Sequence, residues 1–237
     1  MTTCSNRAIR AVLFDLDDTL YDRGALFARW SEGYVHDVLG IVDPSCRRAL
    51  LDRIGAYNPD GYGSNMMAIE ELCRITAEAE GCELADMQSE VARLYDNFVE
   101  RLALDQAAEE LLASLERLGI PYGIVTNGTD RQWRKLEQLG LIERAGCHYV
   151  SDTFGSSKPE AAIFKAAAQH LGASPGEVLF VGDNPIDDIV GAHRAGMKTA
   201  WLHRDKPWPD DRSHPTPDYT IDTIAQVLNL VSVPVPA

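Results

Sequence analysis

The chain has 237 residues, 45% apolar and 24% charged, enough for one large core or for a core carrying an insertion. Its formal net charge of -14 repels nucleic-acid backbones and anionic membranes, so no nucleic-acid or membrane partner is expected, and a phosphate ligand would need a locally positive site. No apolar run reaches the ~20 residues that span a bilayer, residues 1–10 lack a signal-peptide core, and Cys4, Cys46, Cys73, Cys82 and Cys147 contain no C-x-x-C pair, so free thiols and a cytoplasmic location are expected.

In chain order, residues 9–14 form an apolar, β-branched run that stops at Asp15 and reads as a buried strand. Residues 22–102 then show helical periods near 23–39, 45–54, 65–80 and 84–102, with no convincing strand. This third of the chain carries about half of the net negative charge and reads as an all-helical insertion. Strands and helices alternate after it. A helix over 107–118 stops at Gly119, a strand over 121–125 closes at Thr126-Asn127-Gly128, and a helix over 130–139 stops at Gly140. A helix over 159–171 is expected to carry Pro159 in its first turn and to stop at Gly172. A strand over 178–181 closes at Gly182-Asp183, and a helix over 187–195 stops at Gly196. Strands over 198–202 and 219–221 flank a proline-rich loop over 204–218, and the tail from 231 is expected to fray. The alternation predicts an α/β fold, with a parallel sheet and helices on both faces.

Ligands of such sheets bind at the carboxyl ends of the strands, where Asp15, Thr126 and Asp183 fall. Taken singly, each is an ordinary turn or cap residue, as Asp18, Asp130 and Asp187 are read here. The string Phe14-Asp15-Leu16-Asp17-Asp18-Thr19 is harder to dismiss. Asp15 and Asp17 share one face of an extended chain, and two carboxylates at 4 Å repel by about 4 kcal/mol at an effective dielectric of 20. Asp183 and Asp188 add to that repulsion. A hard divalent cation relieves it, and magnesium suits a site that also takes phosphate. Thr126, Asn127 and the backbone near Gly128 offer donors to phosphate oxygens, and Lys158 offers a cation.

These four clusters, in this order, resemble the motifs of the haloacid dehalogenase superfamily: Phe14 to Leu20, Val125 to Gly128, Lys158-Pro159, and Gly182 to Asp188. The resemblance covers residues 9–230 and implies a Rossmann-like core, residues 1–21 and 103–237, with a helical C1-type cap over 22–102. It implies that Asp15 is the nucleophile, that Asp17 is the general acid/base, and that Thr126 and Lys158 hold phosphate. It implies Mg2+ on Asp15, the carbonyl of Asp17 and Asp183, supported by Asp188, or by Asp187 if a shorter spacing applies. To act as an acid, Asp17 would have to be held protonated by its surroundings. Dehalogenases of the superfamily lack the second carboxylate, so Asp17 favours phosphate chemistry over dehalogenation.

The expected activity is magnesium-dependent hydrolysis of a small phosphate monoester, such as a sugar phosphate or nucleoside monophosphate, through an aspartyl-phosphate. Haloacid dehalogenation, phosphomutation and non-catalytic phosphate binding are the alternatives. Tyr57 to Gly63, Arg23 and Arg29 are candidate substrate contacts, although such residues are more often a capping turn and solvated arginines. Trp133, Trp201, His148, His193 and His203 read as packing or surface residues.

Overall fold

The computed structural model describes residues 8–57, 65–81, 86–209 and 214–231. The first apolar run forms β1 (Ala11–Phe14), with all four residues buried. Four helices follow: α1 (Arg23–Asp37), α2 (Pro44–Gly55), α3 (Met66–Glu80) and α4 (Met87–Val99). The chain then alternates through α5 (Gln106–Leu118), β2 (Tyr122–Thr126), α6 (Arg131–Gln138), β3 (Cys147–Val150), α7 (Ser151–Phe154), α8 (Ala161–His170), β4 (Val178–Gly182), α9 (Gly191–Ala195), β5 (Lys198–Leu202) and β6 (Tyr219–Ile221).

The six strands are parallel, in the order β3-β2-β1-β4-β5-β6. Strand order reverses on either side of β1, so its carboxyl end lies where α/β sheets bind ligands. The ladder runs on past the strand, since Asp15 N–H donates to the Val181 carbonyl at 2.9 Å. Ala11, Leu13, Val125, Phe164, Phe180 and Ala192 belong to one buried core, in which Phe164 and Phe180 meet edge to face at 4.9 Å. The α/β fold expected from the alternation, and the Rossmann-like core that the resemblance implies, are the fold observed.

By internal contacts the chain divides into two compact units, one of residues up to Asp22 and from Ala103 onward, the other Arg23–Leu102. The regular secondary structure among the second unit's described residues is all helical, α1 to α4. Phe27, Trp30 and Phe98 pack with ring centroids 5.4 to 5.5 Å apart. Each such aromatic contact adds about 0.5–1.5 kcal/mol beyond its burial. Asp43 and Asp86 cap α2 and α4 by accepting N–H groups of the first turn. The carboxylate of Glu71, 3% exposed, takes Tyr57 Oη at 3.2 Å, Arg74 at 3.3 Å and Arg53. Among the described residues, no helix is long and apolar enough to cross a membrane.

Three local expectations differ from the structure. The first is β3, a short edge strand that the pattern reading passed over, because His148 and Tyr149 are half-buried and break the apolar run. The second is α8, which begins at Ala161, not at Pro159. The preceding residues form a separate turn, closed by Glu160 N–H donating to the Ser157 carbonyl at 2.8 Å, and the Lys158–Pro159 peptide is cis. The third is the helix expected over 187–195. It is α-helical only in α9, and Pro185–Val190 before it is a π-helical stretch. Arg23, read as solvated, is buried at the start of α1, whereas Arg29 is exposed. Cys4, Cys82 and most of the Tyr57 to Gly63 loop lie outside the described residues.

Candidate active site

Strand β1 delivers Asp15 to its carboxyl end, and the next residues fold back as a tight turn. Asp18 adopts φ 59°, a left-handed conformation that aspartate tolerates better than most residues. The turn brings the Thr19 hydroxyl to Asp15 Oδ2, to which it donates at 3.2 Å. Arg204 holds the turn from outside by donating to the Asp18 carbonyl, and it also pairs with Asp22 at 3.4 Å and Asp105 at 3.6 Å. Composition marks the segment after β5 as a loop, and its arginine braces the first motif.

Lys158 is the positive centre of the site. Its ammonium lies 2.5 Å from Asp15 Oδ1 and 2.6 Å from Asp188 Oδ1, and all three residues are buried. Although burial works against its charge, the two carboxylates raise the Lys158 pKa above the ordinary lysine value. Asn127 fixes the lysine's backbone from both sides: its Oδ1 accepts the Lys158 N–H at 2.8 Å, and its Nδ2 donates to the Lys158 carbonyl at 2.9 Å. The sequence offers Asn127 as a phosphate donor, and in the structure both ends of its amide engage the Lys158 backbone.

Asp15, Asp183 and Asp188 place carboxylate oxygens within 4.8 Å of one another. Of the two neighbouring acids in the last motif, Asp188 joins this cluster, while Asp187 is half-buried beside Asn127. The approach of Asp188 depends on Gly182, where a Cβ would fall 2.3 Å from Asp188 Oδ2. That oxygen accepts the Asn184 N–H at 2.9 Å. Asp183 Oδ2 is buried and accepts no hydrogen bond among the described residues; a cation, Lys206 Nζ, stands 3.8 Å away. The Asp183 carbonyl is held by Trp201 Nε1 at 2.8 Å, so this indole is a packing residue with a second task.

Burial, then the charges of Asp188 and Asp15, push the Asp183 carboxyl up to about 9. Burial raises Asp15 to about 6 against the pull of Lys158. A buried carboxylate oxygen that accepts no hydrogen bond, beside two more carboxylates, is costly unless positive charge close by offsets it, and Lys206 stands off at 3.8 Å. The donor set is all oxygen and hard, and a divalent cation fits it.

Asp17 points into a different set of partners. Lys135 Nζ lies 2.8 and 2.9 Å from its two oxygens, Gln132 Nε2 donates to Oδ2 at 3.0 Å, and the Tyr21 hydroxyl donates to Oδ1. Donors thus engage both oxygens of Asp17. Gln132 also donates to Thr126 Oγ1 at 2.7 Å and so ties the second motif to the first. Reading by motif missed Gln132 and Lys135, because polar residues on a helix are ordinarily solvated. The available signal was their spacing: they share a helical face with Leu136 and Leu139. Trp133, His148 and His203 bond elsewhere, to Thr153, the Leu141 carbonyl and Asp222 respectively.

A family model described as haloacid dehalogenase-like hydrolase matches residues 9–196. A glyceraldehyde 3-phosphate phosphatase from Methanopyrus kandleri is 32% identical over 94% of this chain and 97% of its own length. A phosphoserine phosphatase from Thermus thermophilus is 32% identical over 77% of this chain and 70% of its own. Among solved structures, a HAD phosphatase from Thermococcus onnurineus superposes with a TM-score of 0.61 at 26% identity, covering 95% of this chain and 99% of that one.

Proposed function

Since the chain belongs to the haloacid dehalogenase-like hydrolases and is a phosphatase of that family, we propose that it hydrolyses a small phosphorylated metabolite in the cytoplasm through an aspartyl-phosphate on Asp15, with Mg2+ as cofactor. The observation that carries this reading is the buried Lys158 ammonium between Asp15 and Asp188, beside a buried oxygen of Asp183 that accepts no hydrogen bond among the described residues. The site combines a nucleophilic carboxylate, a fixed cation for phosphate and a carboxylate in need of a metal.

In the first step, an oxygen of Asp15 attacks phosphorus and the ester P–O bond breaks. The electron pair leaves with the alcohol oxygen, which takes a proton from Asp17. In the second step, water attacks phosphorus, Asp17 accepts a proton from the water, and the bond to Asp15 breaks, leaving alcohol and inorganic phosphate as products. For the first step, the negative charge of bound phosphate beside Asp17 favours its protonation.

Thr126 and Lys158 hold the phosphoryl oxygens, and Asn127 holds Lys158 in place. Asp15, Asp183 and the carbonyl of Asp17 would bind the magnesium. Asp188, whose oxygens already accept from Lys158 and Asn184, supports that set. Bound magnesium would neutralise charge on the transferring phosphoryl group. Residues 22–102 are assigned as the cap that selects the substrate, a sugar phosphate or nucleoside monophosphate.

The test is a panel of phosphate esters assayed with and without magnesium, beside Asp15→Asn. We expect turnover only with the metal and a loss of about 10³-fold or more in Asp15→Asn. Absence of magnesium-dependent turnover on every ester would sink the phosphatase reading. Full turnover in Asp15→Asn would remove the nucleophile.

A further inference from the structure

The donors that hold Asp17 come largely from one face of one helix. Gln132 and Lys135 lie one turn apart on α6, and both are buried. Lys135 meets both oxygens of Asp17, at 2.8 and 2.9 Å. Gln132 Nε2 donates to Asp17 Oδ2 at 3.0 Å, to Thr126 Oγ1 at 2.7 Å and to the Asn127 carbonyl at 3.1 Å. A primary amide has two hydrogens, so three acceptors share two N–H bonds. Because the Thr126 oxygen already accepts from Gln132, its own hydrogen is directed elsewhere. The backbone makes room for this arrangement at Gly128, where a Cβ would fall 2.7 Å from Gln132 Cγ.

We infer that Gln132 and Lys135 are positioning residues for the reaction. Gln132 turns the Thr126 hydroxyl into a donor toward phosphate, and with Lys135 it fixes the Asp17 carboxylate in the orientation from which it exchanges a proton with the leaving oxygen. The inference rests on the roles proposed above for Asp17 and Thr126. One helix thereby sets the acid/base and the phosphate donor together, so both keep a fixed geometry relative to Asp15.

The test separates leaving groups. An alkyl phosphate needs a proton as its alcohol departs, whereas p-nitrophenyl phosphate releases a stabilised anion that does not. The quantity compared is kcat/KM, which runs through departure of the leaving group. In Lys135→Met we expect kcat/KM for the best alkyl ester of the panel to fall about 10²-fold and that for p-nitrophenyl phosphate less than about tenfold. Lys135→Arg should restore most of the loss. Gln132→Met should show the same leaving-group bias and also weaken inhibition by inorganic phosphate about tenfold, since Thr126 loses its orientation. If Lys135→Met does not fold, as judged by thermal melting, the neutral Gln132→Met carries the comparison.

Asp17→Asn serves as the reference. If it shows the leaving-group bias and the α6 variants lose both esters equally, the positioning inference is overturned. If Asp17→Asn itself shows no bias, the acid assignment has failed, and the inference fails with it.

Discussion

Asp183 has an oxygen that is buried and accepts no hydrogen bond among the described residues, a state proteins rarely tolerate without use. Two more carboxylates lie within reach, and one of them arrives only because residue 182 lacks a side chain. In Gly182→Ala the new Cβ would contact the Asp188 side chain at 2.3 to 2.6 Å, from Oδ2 back to its Cβ, and Asp188 would have to give up Lys158 or the Asn184 N–H. We expect kcat/KM to fall about 10²-fold, with weaker magnesium activation, and the melting temperature to fall as well, because a buried ion pair or hydrogen bond of Asp188 is lost. A variant with unaltered kinetics would show that the placement of Asp188 is unimportant. Asp15 and Asp183 were legible at this scale because each ends an apolar run, which isolates it. Lys135 and Gln132 were not: what makes them matter is Asp17, more than a hundred residues earlier in the chain.

Elements were legible where their residues have one job. Strands β1 and β4 are apolar throughout, β5 is apolar from Ala200 onward, and all three are paired on both sides, so composition marks them. Strand β3 is paired on one side only, with two half-buried residues, and its pattern is too weak to read. The π-helical stretch after β4 lies at the candidate site, where such irregularity is common. It ends at Gly191, whose missing Cβ would fall 2.7 Å from the Phe164 ring and 2.9 Å from the backbone Cα of Pro159. Alanine at a helical position gains about 1 kcal/mol over glycine. Overpacking against a ring and a backbone atom costs about 1–3 kcal/mol. The clash should win, so Gly191→Ala should melt lower, by about 2–4 °C for each kcal/mol lost in a chain of this size. A higher melting temperature would show that α8 yields freely at this point.

The whole molecule carries a net charge of -14, yet its candidate site gathers buried acids around one buried lysine. The global charge was read from composition, but the local balance was not, because it depends on which strand ends meet. It has a consequence for stability. Burial and the charges of Asp188 and Asp15 push the Asp183 carboxyl up to about 9 in the folded chain, from the ordinary 3.8. Between those two values the unfolded chain has lost this proton while the folded chain keeps it. Stability therefore falls as pH rises through this window, wherever the folded state binds more protons than the unfolded. Asp15, raised to about 6, adds to the fall over the lower part of the same window. A divalent cation binds the ionised carboxylates, releases protons as it binds, and so gains affinity as pH rises. Magnesium-free protein should therefore melt lower at pH 8 than at pH 6. Saturating magnesium should raise the melting temperature at both, by more at pH 8, because binding to the folded state alone adds about 2.7 kcal/mol at a hundredfold excess over Kd. The check is a set of calorimetric scans at the two pH values, with chelator and with magnesium. The result that contradicts the argument is a magnesium shift that is the same at both pH values, since the metal would then displace no proton from this cluster.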